Sequence, residues 1–352
     1  VTLAMPAEAA TLISTPPALT ADDAARLARS GFGLACAEVR PLTAERDQNL
    51  HLRCEDGSEW VMKVANPSEA RSITDFQTAA LRHLERAAPG LPVPRVRSAL
   101  DGADEIVAAL PDGRRSVVRV LNWLEGRPLV QAPRSRRQRE NLARCLAGIG
   151  RAFEGFSHPG QNHYLQWDIS HLDRLADLVP AIEDGRARAA VSAVLADFAA
   201  TVRPALPGLR RQVIYNDLNF HNVLVDAADP DRIAGIIDFG DIATAPLVND
   251  LAVAASYQLG AEAGRDHAAE FIAAYHRELP LREEEIRLLP LLIEARLATT
   301  LLITGYRARL HPENAAYILR NNAPARAALL ALRAASARDN LDWIVTALDE
   351  RR

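Results

Sequence analysis

The sequence predicts an α+β chain with two unlike halves: a small antiparallel β half with one main helix, then a larger α-rich half carrying a β-hairpin. Three observations lead there. Between about residues 35 and 123, short β-branched or alternating runs are separated by Asp56-Gly57, Asp101-Gly102 and Asp112-Gly113. Asp-Gly between apolar runs is the strongest short-range hairpin signal. From about residue 133 onward, apolar residues recur three or four apart, as in Leu142, Leu146, Ile149 and Phe153, which is the spacing of a helix face. One stretch, Gln212 to Asp241, breaks that pattern with two short apolar runs whose ends are crowded with polar residues.

In chain order, residues 1–18, rich in Ala and Thr with Pro16-Pro17, read as a loose N-terminal extension. A helix opens at Thr20, with Asp22 and Asp23 in its first turn, and stops at Gly31. Strands follow at Cys36–Leu42, Asn49–Cys54 and Glu59–Val64, and then a helix from Ser72 to Arg86. Three more strands cover Arg95–Ala99, Glu105–Leu110 and Ser116–Trp123. The connection "VLNWLEGRPL", Val120 to Leu129, divides the chain into a lobe at 19–124 and a lobe at 125–352. In the second lobe Val223–Val225 and Ile233–Ile237 make the hairpin, and Leu288, Leu292, Ala295 and Thr299 mark a long later helix.

At 352 residues there is material for two lobes, each with its own core. Hydrophobic content of 49% with 24% charged residues excludes a disordered chain. A net charge of −4 leaves no electrostatic footprint for nucleic acid or an anionic membrane. No apolar run is read as reaching the ~20 residues of a membrane helix. Three cysteines, odd in number and without metal-ligand spacing, fit the reduced thiols of a cytoplasm.

Lysine is used once. Of 41 Lys plus Arg, only Lys63 in "WVMKVANP" is lysine, leaving 40 arginines. An arginine fork is wide and planar, whereas an ammonium is a compact charge on a flexible stem, suited to reaching phosphate oxygens from inside a strand. Read alone, Lys63 is better taken as a side chain snorkelling from a strand edge.

The hairpin stretch supplies its counterpart. In "QVIYNDLNFHNVLVD" and "RIAGIIDFGD", Asp217 and Asn222 sit five apart on a loop before one strand, and Asp238 follows the next. Antiparallel neighbours place Asn222 and Asp238 at the same end of the pair, with Asp217 on the approaching loop. Oxygen donors so arranged suit a hard divalent cation such as Mg²⁺, with one acid left for chemistry. Phosphoryl transfer needs this set: a residue that orients the attacking hydroxyl and takes its proton, metal ligands, and a cation for the nucleotide phosphates. Asp217 is then the base, Asn222 and Asp238 the metal ligands, and Lys63 the cation.

These residues carry a family resemblance. "VMKV", "LNWLEGRPL", "YNDLNFHN", "IIDFGD" and "PLVNDLA" together resemble the aminoglycoside phosphotransferase/choline kinase superfamily, relatives of protein kinases, from about residue 33 to 310. "VANPSEARSITDFQTAALRHL", "HYLQWDISHL" and "IDFGDIATAPLVNDLAVAASY" are most similar to the hydroxylysine kinase group. The resemblance implies a bilobal protein-kinase-like fold and a kinase using ATP or GTP with Mg²⁺. By position it makes Asp250 the brace of the catalytic loop and places an acidic partner for Lys63 on the next helix, with Asp75 the first choice; the alternative is that the family's glutamate position falls on Gln77, which forms no ion pair. It implies that Arg46, Gln48 and Asn49, in the turn between the first two strands, cover the phosphates in place of a glycine-rich loop. It implies that the hinge at Asn122, Trp123 and Leu124 binds the base. Tyr215 stands where the family usually has His, and Asn216 where it has Gly.

Only about seven residues separate Gly240 from the helix starting near Val248, too few for a peptide platform, so a small hydroxylated acceptor is expected. The superfamily favours acceptors with an ammonium group. Trp167, Asp168, Asp241 and Glu294 are candidates to surround it, and Arg296 is a candidate to pair with a carboxylate if the acceptor is zwitterionic. Within the enzyme class the alternatives are an aminoglycoside kinase or another amino-alcohol or hydroxy-amino-acid kinase; outside it, a nucleotide-binding pseudokinase. Ala-rich helices near 315–348 allow a monomer or a homodimer.

Overall fold

The first helix, α1 (Ala21–Phe32), begins where its cap requires. The Asp23 amide donates to the Thr20 hydroxyl and the Thr20 amide to the Asp23 carboxylate, both at 3.1 Å, the reciprocal pairing of a capping box. In this computed structural model the described residues are 15–44, 46–260 and 264–349. They form two units. The first runs to Glu125 and takes in Ser157–Tyr164; the second holds Gly126–Phe156 and continues from Leu165. Of the extension expected over 1–18, residues 1–14 lie outside the described residues. The last four are tied down, since Arg114 donates to the carbonyls of Thr15 (2.7 Å) and Pro16 (3.1 Å) and Pro17 is buried.

The first unit is an antiparallel sheet. Its strands are β1 (Cys36–Leu42), β2 (Gln48–Cys54), β3 (Glu59–Val64), β4 (Val96–Arg97), β5 (Ile106–Ala109) and β6 (Arg115–Asn122), with α2 (Arg71–Ala87) between β3 and β4. The order is β1-β2-β3-β6-β4, and β5 also pairs with β6. Leu50 and Leu52, Met62 and Val64, and Val118 and Val120 alternate into one core with Ala24, Ala28 and Phe32 of α1. Each of the Leu, Met, Val and Phe side chains contributes about 1.5–3 kcal/mol. The same alternation sends Lys63, between Met62 and Val64, to the other face of β3. There it pairs in register with Asn49 of β2 and Arg119 of β6.

Ser157–Tyr164 was expected with the second lobe and belongs instead to the first unit. His158 Nε2 lies 3.3 Å from the Asp75 carboxylate, and the Phe76 ring meets those of His158 and His163 at 5.7 and 5.9 Å. Gly160 permits the approach, because a Cβ there would sit 2.1 Å from the Ser72 carbonyl oxygen. The obstacle is backbone, so Gly160→Ala should cost about 1–3 kcal/mol. Thermal unfolding should show a midpoint a few degrees lower.

The second unit contains β7 (Arg127–Pro128), α3 (Arg136–Ala152), a 3-10 run (Ile169–Ala181) and α4 (Gly185–Asp197). It continues through β8 (Arg211–Ile214), β9 (Val223–Val225), β10 (Ile233–Ile236) and β11 (Ala243–Pro246). Helices α5 (Leu247–Gln258), α6 (Gly264–Glu278), α7 (Glu283–Leu310), α8 (Asn322–Ala334) and α9 (Ala337–Asp349) complete it. The hairpin β9–β10 gains β7 as a third strand, and β8 pairs with β11 in a second small sheet that the sequence reading did not include. Helix α5 is apolar nearly all round and buried along its length, as a core helix must be. One stretch does pass as a membrane span by length and composition, which corrects the expectation of none: Gly185–Gly208, with mean hydropathy 1.4. Arg186, Arg188, Asp197 and Arg203 interrupt it, and Ala187, Val191, Val194, Phe198 and Val202 are buried within the unit.

Candidate active site

The hairpin sets the frame. Val223 pairs with Ile236, and the Ile237 amide donates to the Asn222 carbonyl at 2.9 Å, so Asn222 and Asp238 flank the same end of β9–β10. The loop before β9 is organised by Asn219. Its side-chain oxygen accepts the amides of His221 (2.8 Å) and Asn222 (3.2 Å), and its Nδ2 donates to Asp217 Oδ2 at 2.9 Å. Asn222 Nδ2 donates to the same Oδ2 at 2.7 Å and to the Asp217 carbonyl at 3.1 Å. With its nitrogen held by Asp217, the Asn222 amide presents its oxygen on the opposite side.

Two residues fix this loop from behind. Asp250, in the first turn of α5, accepts the amides of Tyr215 (3.2 Å) and Asn216 (2.7 Å). Burial pushes its carboxyl up to about 7 against the pull of those two donors. Asn216 has φ 67° and Asp238 φ 63°, both left-handed, which costs a non-glycine residue. Tyr215 donates its hydroxyl to the Ile237 carbonyl and sets its ring edge against Phe239, centroids 4.9 Å apart. It thereby links the Asp217 loop to the residue before Asp238. Tyr215→Phe should leave that carbonyl unpaired at a cost of about 1–3 kcal/mol. Steady-state kinetics should show kcat falling while the protein stays folded.

Asp217 is the electrostatic focus. Burial, then Asp241 and more weakly Asp238, push its carboxyl up to about 7, while Arg296 and the Asn219 bond hold it down. Arg296, on α7, donates to Asp217 Oδ1 (3.2 Å), to the Tyr257 hydroxyl (3.0 Å) and to the Trp167 carbonyl (3.3 Å). Its guanidinium lies 4.9 Å from the Trp167 ring centroid and 5.7 Å from that of Tyr257. Of the residues expected around the acceptor, Trp167, Asp241 and Arg296 thus gather with Asp217.

Two do not, and are corrected here. Residues two apart on a helix point roughly 200° apart, so Glu294 faces away from Arg296; it pairs with Arg333 at 3.0 Å and accepts from Asn340. Asp168 is buried as the N-cap of the 3-10 run, accepting the Ser170 amide at 2.9 Å and the Asn249 side chain at 3.3 Å. Arg296, expected to await a carboxylate on the acceptor, is already occupied by Asp217, Tyr257 and Trp167.

The remaining expected residues lie in the first unit. Asp75 cannot be the partner expected for Lys63: the buried face of α2 runs through Thr74, Gln77, Thr78 and Leu81, and Asp75, 60% exposed, pairs with His158. Gln77 instead accepts from Arg119 at 2.6 Å. Gln48 is structural, its amide bonding both the N–H and the carbonyl of Leu19 at 2.7 and 2.9 Å. The Arg46 carbonyl accepts from Asn66, and Asn49 has a buried Oδ1 with no donor among the described residues. At the hinge the amides of Asn122 and Trp123 are spent on the carbonyls of Arg95 and Glu59. Leu124 is the hinge residue whose amide makes no described hydrogen bond. Sequence reasoning missed Asn219 and Tyr257. Asn219, an Asx residue two past Asp217, carried a turn signal; Tyr257 carried none.

The sequence matches the phosphotransferase enzyme family over residues 38–286. Among curated proteins it is 27% identical over 329 residues to hydroxylysine kinase of Mus musculus, covering 87% of each chain. It is 25% identical over 333 residues to that of Xenopus laevis, covering 88% of each. Among solved structures it resembles a microcompartment-associated aminopropanol kinase (TM-score 0.67, 18% identity, 84% of this chain and 93% of that one). It also resembles an amicoumacin kinase in complex with AMP-PNP and Ca²⁺ (TM-score 0.66, 15% identity, 87% and 92%). These neighbours share the mixed architecture of an antiparallel sheet followed by a helical region.

Proposed function

From the premise that this chain belongs to the phosphotransferase enzyme family, and so is a small-molecule kinase, we propose that it transfers the γ-phosphoryl group of ATP or GTP to a hydroxyl of an amine-bearing metabolite, with a hydroxylysine-like amino acid as the acceptor. The observation that carries this reading is the Asp217–Asn222–Asp238 arrangement at one end of β9–β10, where a carboxylate held by two side-chain amides stands beside two further oxygen donors. The hydroxylysine kinases matched over nearly their whole length support the choice of acceptor.

In this reading the acceptor oxygen bonds to the γ-phosphorus, and the bond to the β–γ bridging oxygen breaks, its electron pair leaving with the nucleoside diphosphate. The hydroxyl proton passes to Asp217. Lys63 neutralises phosphate charge, the Leu124 amide meets the base, and Asp241 with Trp167 faces the ammonium of the acceptor. Asn222 Oδ1 and Asp238 form an all-oxygen donor set fitting Mg²⁺; bound there, it supplies charge neutralisation for the phosphates.

The test is Mg²⁺-dependent nucleoside-diphosphate release with ATP and GTP against 5-hydroxylysine, homoserine, threonine, choline, ethanolamine and kanamycin. Turnover with 5-hydroxylysine above the others supports the reading. Preference for kanamycin or for an amino alcohol replaces it with that acceptor.

A further inference from the structure

Arg296 is buried to 2% exposure, and its contacts explain more than charge balance. Its NH2 nitrogen carries two hydrogens. One goes to the Tyr257 hydroxyl at 3.0 Å, which leaves the other for Asp217 Oδ1 at 3.2 Å. NH1 is anchored on the Trp167 carbonyl at 3.3 Å, and the Trp167 ring lies against the guanidinium plane. The fork is therefore held by α5, by the chain before the 3-10 run, and by the loop before β9.

An ionised carboxylate offers about four lone-pair positions, two on each oxygen. On Asp217, Oδ2 receives Asn219 Nδ2 and Asn222 Nδ2, and both of its positions are filled. Oδ1 receives Arg296 alone among the described residues. One position on the carboxylate is left over, and Arg296 decides which one.

Resting on the kinase reading of the site, we propose that Arg296 is a positioning residue for phosphoryl transfer: braced by Tyr257 and Trp167, it fixes the carboxylate plane of Asp217 so that the remaining lone pair of Oδ1 receives the hydroxyl proton of the acceptor. A lysine cannot do this. Its ammonium lacks the planar fork that satisfies a carboxylate, a phenol and a carbonyl at fixed angles. The proposal also turns Arg296 from recognition of the acceptor to support of Asp217, since three of its five N–H donors are taken by Asp217, Tyr257 and Trp167.

The experiment measures kcat and both KM values for Arg296→Ala, Arg296→Lys, Tyr257→Phe and the Arg296→Ala/Tyr257→Phe double variant, with and without added methylguanidinium or methylammonium. Arg296→Ala should lose about 10²–10³-fold in kcat while the nucleotide KM stays within about twofold. Methylguanidinium should restore much of the loss and methylammonium should not. Arg296→Lys should resemble Arg296→Ala. Tyr257→Phe should lose several-fold in kcat, and that loss should vanish in the Arg296→Ala background. A folded Arg296→Ala that methylguanidinium does not rescue overturns the proposal. So does a variant whose only change is a raised acceptor KM, which would return Arg296 to acceptor recognition. If Arg296→Ala does not fold, an unchanged kcat in Tyr257→Phe overturns it as well, and a lowered kcat supports it. Should no hydroxylated amine be turned over, the acceptor reading fails alone, and slow transfer to water supplies the same comparison among the variants.

Discussion

Asp217→Asn should reduce kcat by about 10²–10⁴-fold, the contribution of a positioned general base, while nucleotide binding persists. The carboxylate stands at the meeting of three elements: the loop before β9, the end of the β9–β10 hairpin, and Arg296 of α7. An amide in its place has no proton affinity to offer an attacking hydroxyl. It also turns one acceptor into a donor: at the Oδ2 position the NH2 opposes Asn219 and Asn222, which donate there at 2.9 and 2.7 Å, and at the Oδ1 position it opposes Arg296. Single-turnover transfer measured beside nucleotide affinity separates loss of chemistry from loss of the fold. A variant that keeps its rate removes Asp217 from the reaction.

The same carboxyl should shape the pH dependence. Burial and the neighbouring Asp241 push it up to about 7, and the ionised form is the one that takes a proton. Below that pH, kcat/KM, which reports the free enzyme, should fall about tenfold per unit; above it, the profile should level off. Asp241→Asn removes a negative charge that holds Asp217 up, so the acid limb should move to lower pH. A limb that does not move in that variant belongs to another group.

What was legible in the sequence was local. Strands β2 and β3 lie within a residue of where turn punctuation predicts them, because Asp56-Gly57 between them fixes a hairpin. Asn222 and Asp238 could be placed together for the same reason: two antiparallel neighbours share an end whatever surrounds them. Contacts made over distance were not legible. Arg296 meets Asp217 across 79 positions, and Gly160 meets Ser72 from beyond the first lobe; no periodicity encodes either. The β8–β11 pair was missed because four-residue strands such as "RQVI" and "ATAP" show too little alternation to stand out. Glu294 was a different kind of error, since the helical period alone sets it on the face opposite Arg296. Asp75 failed in the same way, one position off the buried face of α2.

Removing Asp250, which holds the Asp217 loop from behind, should prove nearly as costly as removing the Asp217 carboxylate. Asp250 is 1% exposed, and its two oxygens take the amides of Tyr215 and Asn216. Asp250→Ala leaves two buried N–H groups without partners, each costing about 1–3 kcal/mol, and it frees a turn in which Asn216 sits at φ 67°. Loss of the buried carboxyl, already disfavoured in its ionised form, offsets part of this, so the net destabilisation should lie near about 2–4 kcal/mol. Since Asp217 is the next residue after Asn216, kcat should fall with stability. Asp250→Asn should be intermediate, because an amide still accepts one of the two bonds. The conformational share can be isolated with Asn216→Gly. The Asn216 side chain has neither Oδ1 nor Nδ2 bonded among the described residues, so glycine gives up no hydrogen bond there and enters the left-handed region without the steric cost of a side chain. Added to Asp250→Ala, Asn216→Gly should recover part of the thermal midpoint and more of kcat, because what Asp250 holds in place is the turn that aims Asp217. If the double variant recovers neither, the two orphaned amides account for the whole loss, and the turn holds its shape without the brace.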